Sequence, residues 1–332
     1  MFYKLRWPLF FLAVALTVAA AAPSVTRAQP APKKIRMGIS STNVSFLAMF
    51  VAQHRGFFRE EGIELELIYM PANLASTAVM TGDIDYSGAV TGVIGAAVRD
   101  QPMKVLIFTV ARPLLFLMSK KEIKEVKQLK GKKVAGSSPG GSATILANQA
   151  LKHFGLEPGK DVAVLPMAGA AAARFAVLES GTVDASLLSC PENIIAQEKG
   201  YNELAFLGDA VDYPQNGFGT SEKRIRENPE EVYKMVRGTL RGLKFIWDKN
   251  NHEQVIDVIM KQFKLQNRKM AGEMLRHVMR VLTRDASVPP ESIQNIIDLA
   301  RENAKVTRPV SIAQVVDYSF VEKARKELGL GS

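Results

Sequence analysis

The chain has 332 residues, 47% of them hydrophobic, a formal charge of +10 and a single cysteine. That length supports one large domain or two ordinary ones with real cores, and the lone Cys190 excludes an internal disulfide, with no Cys/His spacing suited to zinc. The basic residues are scattered and interleaved with glutamate, the densest run being KKEIKEVKQLKGKK (120–133), and no stripe of the kind that grips nucleic acid is visible.

In chain order, residues 1–28 come first as a separate object. Lys4 and Arg6 precede an apolar stretch from Trp7 to Ala22, and Thr26 and Ala28 sit as small residues before Gln29. A positive start, a short apolar core and a small-x-Ala exit describe a secretory signal peptide. Its loss would remove three basic residues (Lys4, Arg6, Arg27) and no acid, taking the charge from +10 to +7. No later run of 18 apolar residues follows, so the mature chain is expected to be soluble in the periplasm.

From 34 to about 220, strands are predicted at 34–40, 63–69, 84–89, 103–109, 114–118, 132–137, 161–166, 183–189 and 204–207. Helices fall between most of them, near 45–56, 73–81, 91–99, 142–154, 170–180 and 191–199. Such alternation predicts α/β sheets with crossover helices. Beyond about 222 only helices are predicted, near 228–250, 251–263, 267–283, 290–305 and 311–327. In the first, Val232, Met235, Val236, Leu240, Leu243, Phe245 and Ile246 recur at helical spacing, and Pro229 follows Asn228, a plausible N-cap. These helices are expected to pack around the first lobe, the chain crossing over at ARPLLFLMS (111–119) and returning at DYPQNGFGTS (212–221). Two such connections would permit hinge closure.

A strand-to-helix unit occurs twice, as KKIRMGISSTNVSFLAMFVAQHRG (33–56) and KKVAGSSPGGSATILANQALKHFG (132–155). Each is followed by a helix end, a glycine and an aspartate: AVMTGDIDYSG (78–88) and AVLESGTVDASLL (176–188). The repeat suggests two α/β lobes whose polar loops face one cleft. Asp85 and Asp184 are read as fixing the turn before each strand, Cys190 as a small buried residue, and the four histidines as helix-end or surface residues.

The ordered set of these stretches, with VAQHRGFFREEGIELELIYM, RFAVLESGTVDASLLSCPEN and NPEEVYKMVRGTLRGLKFI, covers most of 34–250. It resembles the extracytoplasmic substrate-binding proteins of ABC importers, in the group of sulfonate, nitrate, taurine and thiamine-pyrimidine binding proteins. The resemblance implies a two-lobe periplasmic-binding-protein fold of type II, with 29–113 and 217–332 as lobe one and 114–216 as lobe two. It further implies a ligand between the lobes and transient delivery to a membrane permease; the mild positive charge and the apolar residues near the cleft suit a small anionic or aromatic molecule. A monomer without cofactor, metal or catalytic residues is expected. Two alternatives are a sensory subunit, and an enzyme related to thiamine-pyrimidine synthases, although the cysteine-rich iron motif of the latter is missing.

In the SSPGGSATI loop, the glycines Gly140 and Gly141, the hydroxyls of Ser138, Ser142 and Thr144 and the free N–H groups of the first helical turn form a candidate anion seat. Ser142 could equally be a simple cap. Thr42 and Asn43 are the first-lobe counterparts, with Asn43 or Ser45 alternatively an N-cap. Asn73, Ser87, Gly169 and Glu192 follow predicted strands, and the crevice outside strand C-termini is where open α/β sheets bind ligands. Asn73 and Glu192 could also be caps or exposed loop residues. Arg112, in the crossover, is preferred as the cation for a ligand carboxylate or sulfonate over Arg174, which lies inside a helix.

Overall fold

The computed structural model describes residues 1–2, 31–137, 142–167 and 169–330. Most of the segment read as a signal peptide therefore lies outside the described residues, among which no helix is long and apolar enough to cross a membrane. Ten strands form two five-stranded sheets. Sheet one contains β1 (Lys33–Ile39), β2 (Ile63–Tyr69), β3 (Tyr86–Ser87), β4 (Met103–Val110) and β10 (Asn216–Ser221), in the order β2-β1-β3-β10-β4. Sheet two contains β5 (Phe116–Ser119), β6 (Lys133–Ala135), β7 (Ala163–Leu165), β8 (Ala185–Leu188) and β9 (Asn202–Phe206), in the order β7-β6-β8-β5-β9.

The two orders are the same: second strand, first, third, an incoming strand, fourth. In each sheet the incoming strand is antiparallel to both neighbours, β10 against β3 and β4, β5 against β8 and β9. The remaining pairs are parallel. The repeat read in the sequence is thus an architectural repeat. This α/β arrangement of two mixed sheets is the type II periplasmic-binding-protein architecture.

One aspartate organises each copy. The Asp85 carboxylate accepts the Arg36 backbone N–H at 2.6 Å and pairs with the Arg224 guanidinium. The Asp184 carboxylate accepts the Lys133 N–H at 2.9 Å and pairs with Lys120 at 3.0 Å. Each backbone N–H of these aspartates donates back to the same first-strand residue, at 2.8 Å in both copies. Burial alone would raise the Asp184 pKa, but the Lys133 N–H and the Lys120 and Lys132 charges hold it below the usual carboxylate value. Both aspartates fix the entry to the third strand, as the sequence suggested.

The segment 216–221, read as part of a crossover, is instead the strand β10. Its two glycines disguise it, and the packing explains them. A Cβ on Gly217 would run into the Ile107 carbonyl and one on Gly219 into the Lys104 carbonyl, both on β4. The connections proper are therefore short, 111–115 and 211–215, and they are stitched together. The Leu114 N–H donates to the Gln215 side-chain oxygen at 2.9 Å, and the Gln215 N–H to the Val110 carbonyl at 3.0 Å.

The helices after 222 pack on the first sheet's own helices. In Pro229–Trp247, Val232, Met235, Val236, Leu240, Leu243 and Ile246 are buried, whereas Phe245 is partly exposed and stacks near Phe57. Gly242 lets this helix approach Leu47–His54 at Ala48, where a Cβ would strike the Ala48 carbonyl. Asn228 occupies the N-cap position but makes no side-chain capping bond, so Pro229 alone carries the start signal. The predicted 267–283 helix ends at Met279, and the next residues pair with the first connection instead, Ala111 N–H to Val281 O at 2.8 Å.

Removing the Asp85 carboxylate strands the partly buried Arg224. Asp85→Ala is expected to cost about 3 kcal/mol, as breaking a buried pair does, and Asp184→Ala, in a more solvated setting, about 1 kcal/mol. Urea unfolding midpoints read the difference; equal effects would show that the two copies carry equal load.

Candidate functional site

Because β1, β2, β3 and β4 run parallel, their C-termini share one edge of sheet one, and those of β6, β7, β8 and β9 share one edge of sheet two. Loops at those edges are the natural place for a ligand. Tyr69, at the end of β2, is the least of the groups that act on the charge of Arg174, in the Ala171–Glu179 helix.

Arg174 is the central group. It is only 6% exposed. Its Nε donates to the Leu187 carbonyl at 2.8 Å and its Nη1 to the Gly169 carbonyl at 3.3 Å. These bonds fix the plane of the guanidinium and leave Nη2 without a partner among the described residues. Burial pulls the Arg174 pKa below its ordinary value, while Glu192 and Tyr69 oppose that shift. Glu192, the first residue of the Glu192–Glu198 helix, is itself pushed up by burial, against its own backbone N–H and Arg174. A buried guanidinium fixed in plane, with one nitrogen open, can donate to an anionic group.

The preference for Arg112 over Arg174 is not supported by this geometry. Arg112 is exposed in the first connection and donates through Nη1 to the Gly208 carbonyl at 3.2 Å. Arg174 is inside a helix, as read, but on its buried stripe, with Ala171, Phe175 and Leu178.

The other sequence-selected residues divide clearly. Gly169 has φ +102, a conformation that favours glycine, and presents its carbonyl to Arg174. Glu192 opens the Glu192–Glu198 helix and its charge acts on Arg174. Asn43 is spent locally: its Oδ1 caps the Ser45 N–H at 2.9 Å and its Nδ2 donates to Ser41 at 2.8 Å. Thr42 is exposed beside it. Ser87 is wholly buried, its Oγ accepting from the Ala89 N–H at 3.3 Å. Asn73 lies in the first turn of the Ala72–Thr81 helix, its side chain outside the described atoms. Ser142 opens the Ser142–His153 helix, while Ser138, Gly140 and Gly141 lie outside the described residues. Ser137 accepts the Thr144 N–H at 3.3 Å, and the Thr144 hydroxyl returns to the Ser137 carbonyl at 2.8 Å. Tyr69 and Leu74, 59% and 54% exposed, add apolar surface at the sheet-one edge.

Cys190 is fully buried, and burial followed by the Glu192 charge pushes its thiol pKa up. Among the described residues no group of three or more His, Cys, Asp or Glu is placed to hold a metal ion. Two cavities lie away from the Arg174 edge. One of about 370 Å³ is lined by Lys33, Glu227 and Glu231 at the opposite strand ends, and one of about 560 Å³ by His153, Asp212 and Asp298.

The profile of the NMT1/THI5 like family matches residues 43–252, which include the second strand-to-helix repeat and the helix of the first. The chain belongs to that family. As an NMT1/THI5 like protein it is 28% identical over 238 residues to the riboflavin-binding protein RibY of Chloroflexus aurantiacus, covering 68% of this chain and 67% of that one. Among solved structures it resembles the periplasmic nitrate-binding protein NrtA of Synechocystis PCC 6803, with TM-score 0.74, 16% identity, and 90% of each chain covered. The aliphatic sulphonate binding protein SsuA of Escherichia coli gives TM-score 0.67 at 20% identity, covering 86% of this chain and 92% of that one. The desulfurization enzyme DSZB also shares the fold, with TM-score 0.63 at 15% identity, covering 89% of this chain and 99% of that one. At these identities the structural likenesses establish the fold and no more.

One histidine of this NMT1/THI5 like chain departs from the surface reading. His277, only 5% exposed, packs edge-on against Phe116 of β5, ring centroids 4.8 Å apart. Nearby Arg280 lies over Phe206 of β9 at 3.8 Å. Burial, then the Arg276 and Arg280 charges, lowers the His277 pKa to about 4. An unfolded chain binds this proton near the ordinary histidine value and the folded one does not, so stability is lost as pH falls from about 6.5 to about 4. The loss is on the order of 3 kcal/mol. Denaturant melts at pH 7 and pH 4.5 should show a drop that shrinks in His277→Phe; an unchanged drop would assign it to other groups.

Proposed function

We propose that this chain is the extracytoplasmic solute-binding component of an ABC import system, exported by its leader and delivering its ligand to a membrane permease. Sheet one with 29–113 and 217–332 forms one lobe, and sheet two with 114–216 forms the other. The ligand sits between the two strand-end edges. The observation that carries this reading is Arg174, a buried guanidinium held in plane by two carbonyls.

The ligand class follows from the same group. An anionic head, carboxylate or sulfonate, meets the open Nη2 of Arg174, and Tyr69 and Leu74 cover an aromatic or alkyl body. The riboflavin, sulfonate and nitrate named for the relatives bracket that class without choosing within it. Closure is driven only by the ligand's differential affinity for the closed arrangement. An enzymatic role like that of DSZB is the weaker reading, because burial keeps the Cys190 thiol protonated and a nucleophilic cysteine needs the opposite.

The test is a melting-temperature screen of the purified protein against alkyl and aryl sulfonates, carboxylates and nitrate, followed by calorimetry. A ligand that binds only the folded state raises the melting point as its concentration exceeds Kd. Arg174→Lys keeps the charge but loses the planar fork, and should weaken the best anion by roughly 10- to 100-fold, the worth of one charged hydrogen bond. Native-like binding by that variant would remove Arg174 from the site, and no response to any anion would sink the receptor reading.

A further inference from the structure

Where the chain leaves β9 it carries two aspartates, and they turn to opposite flanks of the molecule. Asp209 meets the Arg280 guanidinium at 2.9 Å, just past the helix that ends at Met279. Asp212 accepts from the Ser292 hydroxyl at 2.9 and 2.8 Å, at the start of the Pro290–Ala304 helix. The flanks correspond to the two faces of β5, since successive strand residues point to opposite sides. Phe116 packs on His277 and belongs to one hydrophobic cluster, whereas Leu117 belongs to the other, with Leu146 and Ala150 of the Ser142–His153 helix.

On the Asp212 flank the helices of the two sheets do not close on each other. They leave the groove of about 560 Å³, with Val211 and Asp212 of the connection in its lining. One wall is the end of the Ser142–His153 helix, which contributes Lys152 and His153. The other is the Pro290–Ala304 helix, packed on the Val90–Val98 helix of sheet one, which contributes Asp298 and Glu302. Asp298 is partly neutralised within its own helix by Arg301, at 2.8 Å. Lys152 and Glu302 are exposed and make no ion pair among the described residues. Opposite charges therefore face each other unpaired across this groove, while Arg280 and Asp209 are in contact on the other flank.

We propose that rocking of sheet two about its connections exchanges one ion pair for another. Arg280–Asp209 holds the arrangement seen here, and Lys152–Glu302 holds a second arrangement in which the groove has narrowed. A rotation that closes one flank opens the other, so the two pairs compete. Both are exposed, Asp209 by 73% and Arg280 by 37% at the side chain, and exposed pairs are weak. The two arrangements are thus close in free energy, and each pair shifts the balance without locking it. The device needs no ligand and stands or falls apart from the receptor reading; a ligand with a modest preference for one arrangement is enough to move it.

The test places spin labels at Lys160→Cys and Lys305→Cys, exposed positions in the loop after one groove helix and just past the other. Cys190 is wholly buried and escapes labelling. Distance distributions are recorded on the ligand-free protein by pulsed electron resonance, after melting curves show that each variant is folded. Asp209→Asn should raise the population at the shorter distance by roughly twofold to fivefold, the worth of one exposed ion pair. Adding Lys152→Glu should abolish that gain, and adding Glu302→Lys as well, which swaps the two charges, should restore it. Salt near 1 M should erase the differences among the variants, since it screens exposed charges. A distribution that Asp209→Asn leaves unmoved overturns the proposal. So does a gain that survives Lys152→Glu, because the narrowed groove would then not depend on the second pair.

Discussion

Asp85 and Asp184 each bind a backbone N–H of the first strand of their sheet and a cation that follows the strand arriving from the other sheet. A single carboxylate thereby joins the first strand, the entry to the third and the exit of the incoming one. Arg224 follows β10 and Lys120 follows β5, so the incoming strands leave at the N-terminal edge and must enter at the C-terminal edge. Both connections are consequently placed at the edge where the parallel strands end. The strand-end loops and both connections share one edge of each sheet because an antiparallel strand has been locked into a parallel set.

The Arg224 end of this arrangement is the stronger. Arg224 also meets Glu231 at 2.5 Å, and the Tyr86 hydroxyl donates to the same carboxylate at 3.1 Å. Burial first, and then Glu231, raises the Tyr86 pKa well above its ordinary value. Tyr86 and Phe218, edge to face at 5.6 Å, close the same joint from the apolar side. The first residues of the C-terminal helical run are thus built into the clamp of sheet one. No equivalent run follows Lys120, whose carboxylate partner is more solvated.

Much of this was legible in one sequence, for physical reasons. Residues 63–69 alternate and the 229–247 helix repeats at 3.6, so burial imprinted itself on the pattern. The paired aspartates were legible because a turn carboxylate after glycine recurs at matched positions. β10 was not, since its identity depends on glycines that the neighbouring β4 backbone demands and that a local reading takes for a loop. Arg174 was seen but set aside. The signal that could have raised it is its position on the stripe 171, 174, 175, 178, where a charged residue occupies an apolar place. His277 gave no such signal, since its burial is decided by the packing of elements far apart in sequence. Asn43 shows the converse: a polar loop residue of the right type, consumed by its own turn.

The contacts of the segment after Met279 bear on how freely the two sheets can move. Two short connections, hydrogen-bonded to each other, would by themselves act as a simple hinge. A third tie exists, however: His277 lies against Phe116, Arg280 over Phe206, and Arg280 pairs with Asp209 at 2.9 Å. The guanidinium over an aromatic face and the paired carboxylate are exposed contacts, each worth about 0.5–1 kcal/mol, whereas the buried imidazole edge is fixed by packing. Opening can therefore pivot about His277 and Phe116 while the Arg280 contacts adjust cheaply.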